Sequence, residues 1–291
     1  MKPSLLGVFC CAAWVFASGM AHTQAAETEA YILAKKEQPA IVGSKLTVET
    51  ISDFKDSKYV VEVEDEKVEG KGSFKKEEIV VTECLSPSRY RQIQTKDETL
   101  HRAEIGDEMM DLPTQPGCLT GAAVILEKNE KAGSFTATLE KGDATQDQKE
   151  RLVELGKEAS RRDDLIMFGE QARKPGDKWD VDVTKLSSFA DGKDLRGTMT
   201  VEFTEVKEIG GSRCAVLKCI FDITGSIRTG GMEDGKMAMK GEEISQRSLV
   251  DLVKLESKCT GKITMIGETE DASVQSESLL TITTRCTVAK P

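Results

Sequence analysis

The sequence predicts a mainly β protein: two antiparallel β lobes, or one large curved sheet, joined by a single α-helix. Two observations predict this class. Apolar and polar residues alternate over long stretches, which is typical of half-buried antiparallel strands. Only residues 145–160 carry apolar side chains at helical spacing. The units that we predict are a signal peptide (residues 1–26), an N-terminal β lobe (27–142), a helical linker (143–174) and a C-terminal β lobe (175–291).

The strands are predicted wherever the alternation persists. Residues 45–51 and 59–63 alternate in the first half, and residues 198–206 alternate in the second. One longer apolar face is formed by Ala215, Leu217, Cys219, Phe221 and Ile223. Dipeptides that contain glycine predict tight hairpins between strands, at Glu69-Gly70, Asp191-Gly192, Gly210-Gly211 and Asp234-Gly235.

The helix is predicted from its spacing and from its ends. Leu152, Leu155 and Ala159 share one helical face. Thr145 followed by Gln148 is the pattern of a capping box, in which each residue bonds the backbone of the other. Basic residues directly after position 160 suit the negative end of the helix dipole.

Residues 1–26 have the composition of a cleavable signal peptide. Lys2 is the only charged residue before Glu27, and residues 5–17 form a nearly unbroken apolar run that small residues follow. A basic start, an apolar core of about 7–15 residues and small residues at the cut are the features of secretory signals. A membrane anchor needs about 20 apolar residues, and Ser18 interrupts this run earlier. The sequence therefore predicts a secreted protein of the periplasm or cell envelope.

Charge and aromatic content disfavour some partners. The net charge is −10, and it becomes −11 when Lys2 is removed with the predicted signal peptide. Such an acidic chain disfavours nucleic acid and anionic lipid as partners. Aromatic residues make up only 5% of the chain, and Trp179 is the only tryptophan after the signal peptide, which does not favour a sugar-binding surface. No later apolar run is long enough to span a bilayer.

Six cysteines follow the signal peptide: Cys84, Cys118, Cys214, Cys219, Cys259 and Cys286. An even number in an exported protein predicts disulfides, with buried free thiols as the alternative. If Cys214 and Cys219 lie on one extended strand, about 16 Å separates them, whereas a disulfide needs Cα atoms within about 7 Å. If the two halves fold separately, Cys84 pairs with Cys118. Cys214 and Cys219 then pair with Cys259 and Cys286, in an order that stays open.

The sequence assigns no catalytic, cofactor-binding or metal-binding residue. A nucleophilic relay needs an imidazole base, and His101 is the only histidine after the signal peptide. It lies in a polar stretch, so we predict an ordinary surface histidine. The cysteines are too dispersed for a zinc site, and the acidic turns do not match a calcium-binding loop. No cofactor is therefore predicted.

Several short motifs carry a family resemblance. They are Pro116-Gly117-Cys118-Leu119-Thr120-Gly121, Gln148 and Leu152 of the predicted helix, Asp163-Asp164-Leu165, Gly176-Asp177-Lys178-Trp179 and the run from Gly211 to Val216. In this order the chain resembles an uncharacterised family of secreted bacterial β-rich proteins, over most of its length after the signal peptide. The resemblance implies the β architecture, and it implies no activity or catalytic residue.

These observations favour a non-catalytic protein over an enzyme. Our leading hypothesis is a periplasmic or cell-envelope protein that binds a partner or an apolar ligand; a deep cavity lined by Phe203, Phe221 and Trp179 would support ligand binding. One alternative is a secreted hydrolase that works with carboxylates alone, and a structural envelope protein is the other. Candidate carboxylates are abundant, for example Glu77-Glu78, Asp163-Asp164 and Glu242-Glu243. The sequence leaves open the identity of the ligand or partner, the oligomeric state and association with a membrane.

Overall fold

The structure is a computed structural model that describes residues 29–36, 41–63, 66–105, 108–112, 114, 116–187, 189, 193–227, 235–268 and 272–291. The predicted signal peptide (1–26) lies outside the described residues. The strands are β1 (Tyr31–Ile32), β2 (Lys45–Val63), β3 (Glu66–Ser86), β4 (Arg89–Ile105), β5 (Glu108–Leu112), β6 (Ala123–Lys128), β7 (Phe135–Leu139), β8 (Ala172–Arg173), β9 (Lys178–Asp180), β10 (Lys193–Ile209), β11 (Ser212–Ile227), β12 (Gly235–Ser248), β13 (Lys254–Glu268) and β14 (Ser273–Ala289). The helices are α1 (Gln146–Ala159) and α2 (Asp163–Phe168), and Val183–Lys185 forms a 3₁₀ turn.

Both halves of the chain contribute to one large antiparallel sheet. Its strand order is β7-β6-β4-β3-β2-β14-β13-β12-β11-β10-β9, and β5 pairs with β4. The two halves meet where β14 pairs with β2, from Ser273 opposite Glu62 to Ala289 opposite Lys45. The strands β7 and β9 end this order, so the described sheet is open. The predicted fold class is confirmed in its one-sheet form, while the predicted unit boundaries stay a prediction.

The hairpin predictions had mixed outcomes. Gly210 and Gly211 form the two-residue turn between β10 and β11, with φ of 56° and 78°, as a type I′ turn requires. The Glu69-Gly70 prediction is wrong, because both residues lie inside β3. A Cβ atom on Gly70 would lie 2.3 Å from the ring of Tyr59, so this glycine makes room for an aromatic ring. The predicted turns at 191–192 and 234 lie outside the described residues.

The main hydrophobic core lies on one face of the second half of the sheet. We call the face that carries Phe221 and Leu280 the inner face. Over β10 to β13 it is covered by apolar side chains from the N-terminal segment, α2 and the 3₁₀ region, among them Leu33, Ala34, Leu165, Phe168, Val183 and Leu186. The apolar face predicted for β11 is confirmed, because Ala215, Leu217, Cys219, Phe221 and Ile223 are all buried.

A buried arginine ties this cover to the sheet. Arg247 of β12 donates through Nε to the backbone oxygen of Leu33 at 2.5 Å. Its guanidinium carbon lies 4.8 Å from the centre of the Phe168 ring, and Nη2 lies 3.6 Å from Asp164. One side chain therefore contacts both the N-terminal segment and α2, which places them over β10 to β13.

The predicted helix is confirmed, including its cap. The Thr145 side chain accepts from the backbone of Gln148, and the Gln148 side chain accepts from the backbone of Thr145. Leu152 and Leu155 pack α1 against β6 and β7 in a second, smaller core with Leu119, Val124 and Leu126. The short helix α2 follows α1 after three residues, so the two form one bent helical segment between the halves of the sheet.

The disulfide prediction is not supported, because the six cysteines between Cys84 and Cys286 are free thiols. The register explains why. Cys214 and Cys219 lie on β11, whereas Cys259 lies on β13 and Cys286 on β14. At about 4.8 Å per strand, at least about 9.6 Å separates the proposed partners, which is beyond the reach of a disulfide.

The first proposed pair is not formed either: Cys84 is buried and Cys118 is exposed, and both are free thiols. Cys84 lies opposite Tyr90 of β4. Thr120, two residues after Cys118, bridges to Gln94 of the same strand. Tyr90 and Gln94 are four residues, or about 13 Å, apart along β4. The free-thiol alternative is therefore the one that the structure has.

Candidate functional site

An apolar cleft of about 550 Å³ opens on the inner face of the sheet, where the helical cover ends. It crosses strands β4, β3, β2, β14 and β13 and reaches the end of β11. Its lining consists of Phe54, Ser57, Tyr59, Gly72, Ser73, Phe74, His101, Ala103, Ile227, Ile263, Met265, Val274, Ser276 and Ser278. No described residue of this lining carries a carboxylate or an ammonium group, so the cleft suits uncharged, apolar matter.

Strand register brings these residues together in rows. Leu280, Phe54, Phe74 and His101 are successive cross-strand neighbours. The next row pairs Ile263 with Ser278, which is hydrogen-bonded to Ser57 across the irregularity in β2, and continues from Ser57 through Gly72 to Ala103. The third joins Met265, Ser276 and Tyr59. Residues that lie directly opposite each other share a face of the sheet, so all these side chains meet on the inner face.

Aromatic rings close one end of the cleft. The Phe54 and Phe74 rings meet edge to face with 5.5 Å between their centroids. The Phe74 and His101 rings do the same at 6.1 Å. His101 is exposed, as the sequence predicts, and it also lines the cleft. Such edge-to-face pairs hold one another in place, which gives this end a fixed apolar wall.

A charged cluster lies just beyond the aromatic wall. Lys76 occupies the next inner-face position of β3 after Phe74, and its Nζ lies 2.9 Å from Glu78 and 3.6 Å from Asp97. Asp97 also accepts from the backbone N–H of Gly117. Because these charges are paired with one another, they form a polar boundary that separates the cleft from the smaller core under α1.

Besides the His101 imidazole, hydroxyl groups provide the polar side-chain atoms of the cleft. The Oγ atoms of Ser57 and Ser278 are 2.7 Å apart and hydrogen-bonded. Tyr59 donates its hydroxyl to the backbone oxygen of Glu104 at 3.1 Å, and its ring lies across Gly70. That bond fixes the ring as one side wall. The cleft therefore offers a few neutral hydrogen-bonding groups among apolar ones.

A β-bulge in β2 creates this arrangement. The register with β3 shifts between Phe54 and Ser57, and the register with β14 shifts between Lys55 and Lys58, so β2 contains one extra residue there. Asp56, inside the bulge, has a φ of 49°. The extra residue turns Ser57 and Tyr59 to the same face as Phe54, as bulges near functional sites often do. Without it, Tyr59 would point to the opposite face.

The three residues that the sequence proposed for a cavity lie elsewhere. Phe203 and Phe221 are 0% and 1% exposed in the main core. Trp179 packs against that core and donates through Nε1 to the backbone oxygen of Met167 at 2.7 Å. They fill the covered end of the inner face, whereas the cleft occupies the uncovered end. The signal for the cleft was present in Phe54, Tyr59 and Phe74, but the bulge concealed their common face.

The carboxylates named from the sequence are held in ion pairs and hydrogen bonds. Neighbouring residues of a strand point to opposite faces, so Glu77 and Glu78 cannot face each other, and neither can Glu242 and Glu243. Each is paired with a lysine instead. Asp163 accepts from Ser187.

The pKa shifts of the carboxyl groups also differ from the shift that a general acid requires. Hydrogen bonds from Lys75 and Lys96 lower the pKa of Glu77 to about 2. Every described carboxyl group with a displaced pKa is shifted downward, mainly by hydrogen bonds from neighbouring side chains: Glu29, Glu69, Glu77, Glu140, Glu154 and Asp182. A general acid needs a raised pKa, which none of these six groups has.

Two further observations concern the described part of the chain. Within it, no group of three or more histidine, cysteine, aspartate or glutamate side chains is placed to hold a metal ion. None of the described helices is long and apolar enough to cross a membrane.

Comparisons with known proteins give no family. No family model matches the chain, and no curated protein matches it. Among solved structures, lipovitellin, described for its lipid–protein interactions, aligns with 10% identity and a TM-score of 0.42. The alignment covers 87% of this chain, which spans about a quarter (26%) of the lipovitellin chain.

Two bacterial structures align more weakly. A DUF1329 family protein from Desulfovibrio piger ATCC 29098 has 4% identity and a TM-score of 0.16, covering 85% of this chain and 86% of that one. A putative outer membrane lipoprotein-sorting protein domain from Vibrio parahaemolyticus has 9% identity and a TM-score of 0.14, covering 81% and 83%. At these TM-scores the likenesses assign neither a family nor a function.

Proposed function

We propose that this chain is an exported, non-catalytic protein that binds an apolar ligand in the inner-face cleft. The observation that carries the proposal is the cleft itself: about 550 Å³, lined by aromatic and aliphatic side chains, with hydroxyls and the His101 imidazole as its polar side-chain groups. Small-molecule sites are concave, mostly apolar, about 300–1,000 Å³ in volume and furnished with a few placed polar groups. The cleft has each of these properties.

We also propose that the protein is exported and that it belongs to a secreted β-rich family. The predicted signal peptide, residues 1–26, would deliver the protein to the periplasm or cell envelope. The short motifs from Pro116 to Trp179 support membership of an uncharacterised secreted β-rich family. An exported protein meets lipids and other poorly soluble molecules, and an uncharged apolar cleft would shield these from water.

The two alternatives have less support. A carboxylate hydrolase needs two acidic groups across a cleft, and the described lining of this cleft contains none. A purely structural envelope protein does not need a cleft, and a flat surface with a large apolar patch would suit it better.

The proposal is tested with a probe and a blocked cleft. A neutral, polarity-sensitive dye such as N-phenyl-1-naphthylamine is titrated into the chain that begins at Glu27, and fluorescence is recorded. We expect saturable binding. Ser276→Phe, which fills the cleft, should weaken it at least about tenfold, because a ring would occupy the volume that the dye needs.

The matched control is Gln275→Phe, one residue earlier on β14 and exposed on the opposite face. It adds the same ring outside the cleft and should leave dye affinity unchanged. If wild-type protein shows no saturable binding, or if both variants bind as tightly as wild type, the cleft is not a ligand site.

A further inference from the structure

Apolar side chains continue beyond the cleft along the inner face, toward the ends of the hairpins. We define the apolar strip as Val61, Val63, Val68 and Met110. Val63 is 40% exposed, Val68 is 56% exposed and Met110 is 48% exposed. Large apolar side chains exposed next to a cleft commonly mark a binding surface, so the strip extends the cleft rather than ending it.

The register shows that the strip is continuous with the cleft. Val61 lies between Val274, which lines the cleft, and Val68 of β3. Met110 of β5 lies opposite Ala103, which also lines the cleft. Val63 follows Val61 on the same face of β2. Each member of the strip is therefore a direct neighbour of a lining residue or of another member.

Along β2, the cleft and the strip together form a long path. From Phe54 to Val63 the path follows nine residues of β2, or about 30 Å at about 3.3 Å per residue. Gly72 in β3 leaves the floor beside Ser57 without a side chain, and a Cβ there would lie 2.7 Å from the backbone oxygen of Arg102. An extended chain fits such a path, whereas a compact molecule would leave most of it uncovered.

Carboxylates at the hairpin ends restrict the head group that a ligand can have there. Glu66 pairs with Val63, and Glu108 pairs with Ile105, so both carboxylates belong to the inner face at the tips. Both are exposed. The chain is acidic as a whole, with a net charge of −10. An anionic head group would therefore be repelled at this end, while a neutral or cationic one would not.

We infer that the occupant is a single-chain acyl amphiphile with a neutral or cationic head group. Its head group emerges beside Glu66 and Glu108, and its hydrocarbon chain runs from there along β2, past Val63 and toward Phe54. The inference rests on the proposed function, since it names the class of ligand that the cleft takes.

The test is displacement of the dye by a series of monoacylglycerols with octanoyl, decanoyl, lauroyl and myristoyl chains, each below its micelle-forming concentration. Affinity should rise about twofold to fourfold with each methylene that is buried, up to the longest chain. Myristate, which is ionised at pH 8, should bind at least about fivefold more weakly than the myristoyl monoglyceride.

Substitutions in the strip test where the hydrocarbon chain of the ligand lies on the protein. Val68→Ser and Met110→Ser should each weaken binding of both the octanoyl and the myristoyl monoglyceride about threefold, because a head group beside Glu66 and Glu108 places the strip next to the first carbons of every chain. Met109→Ser is the matched control: this neighbour is 53% exposed but lies on the opposite face of β5. It should change neither affinity.

The outcomes separate the two proposals. If dye binds saturably but affinity is flat beyond the octanoyl chain, or myristate binds as well as its monoglyceride, this inference fails and the proposed function stands. If the dye itself does not bind, the proposed function fails. A dimer in sedimentation experiments that Val68→Ser abolishes, with unchanged lipid affinity, would assign the strip to a second copy of the chain and overturn the inference.

Discussion

Two buried cysteines show how neighbours set the chemistry of a residue in this sheet. Cys219 and Cys259 lie on either side of Glu243, as its cross-strand partners on β11 and β13. They are 6% and 4% exposed. Burial, and then the charge of Glu243, raises the pKa of both thiols to about 12. Both thiols therefore stay protonated at neutral pH and are poor nucleophiles.

Thiol labelling tests this assignment. In the chain that begins at Glu27, a thiol reagent at pH 8 should label Cys118 rapidly, because Cys118 is exposed. The buried Cys84, Cys214, Cys219 and Cys259 should react at least about a hundredfold more slowly, since the thiolate is the reactive form and access requires opening of the sheet. Cys118→Ser should remove the fast phase.

The same experiment counts the thiols. In denaturant without reductant, six should react, because all six cysteines are free in the structure. A count of four, two or none would instead establish one, two or three disulfides and restore the pairing that the sequence first suggested.

At the scale of elements, α1 contains a glycine that helix propensity alone does not favour. Gly156 is buried in the helix, where glycine costs about 1 kcal/mol relative to alanine. A Cβ at this position would lie 2.8 Å from the backbone oxygen of Phe135 in β7. The glycine therefore lets α1 approach the edge strand. Ser160 strengthens the same contact, because it accepts from the backbone N–H of Phe135 at 2.7 Å.

Gly156→Ala should consequently destabilise the protein, although the same change would raise helicity in an isolated peptide. We expect a loss of about 1–3 kcal/mol, the usual cost of overpacking, measured by urea unfolding followed by circular dichroism. Val153→Ala in the same helix is the control. Val153 is 59% exposed, so alanine should be neutral or stabilise by a few tenths of a kcal/mol. Equal stabilisation by both changes would show that α1 does not pack closely on β7.

The elements themselves were largely predictable, because each depends on local patterns. The capping box of Thr145 and Gln148, the Gly210-Gly211 turn and the buried face of β11 all follow from residues a few positions apart. Glu69-Gly70 was not predictable in this way. Glycine is needed at this position because the ring of Tyr59 on the neighbouring strand leaves no room for a side chain. A contact between residues on different strands cannot be read from a single sequence.

The cleft escaped prediction for one specific reason. Phe54 and Tyr59 are separated by an odd number of positions, so strict alternation assigns their side chains to opposite faces of β2. The extra residue of the bulge between Phe54 and Ser57 brings both side chains to the same face. The bulge contains Lys55-Asp56, which has none of the glycines that commonly signal such a site. Only the register with β3 and β14 reveals that the two rings share a cleft.

At the scale of the whole molecule, one sheet joins two cores of unequal size. Among the described residues, twenty-one buried ones form the main core, on β10 to β14 and the segments that cover them, whereas five form the core under α1. Between them the inner face carries the charged cluster of Lys76, Glu78 and Asp97. Burial of apolar surface is the dominant stabilising term in folding, so the two ends of the sheet should differ in local stability.

Amide hydrogen exchange should reveal this difference. We expect the slowest exchange in β11, β12 and β13, where each strand is paired on both sides and carries side chains of the main core. Amides of β6, β7 and α1 should exchange at least about tenfold faster, because few buried contacts hold that end closed and local opening requires less free energy. Leu126→Ala in the smaller core should accelerate exchange in β6 and β7 while leaving β12 unchanged. If Leu126→Ala instead accelerates every strand equally, the molecule opens as one cooperative unit, and the charged cluster does not divide the sheet energetically.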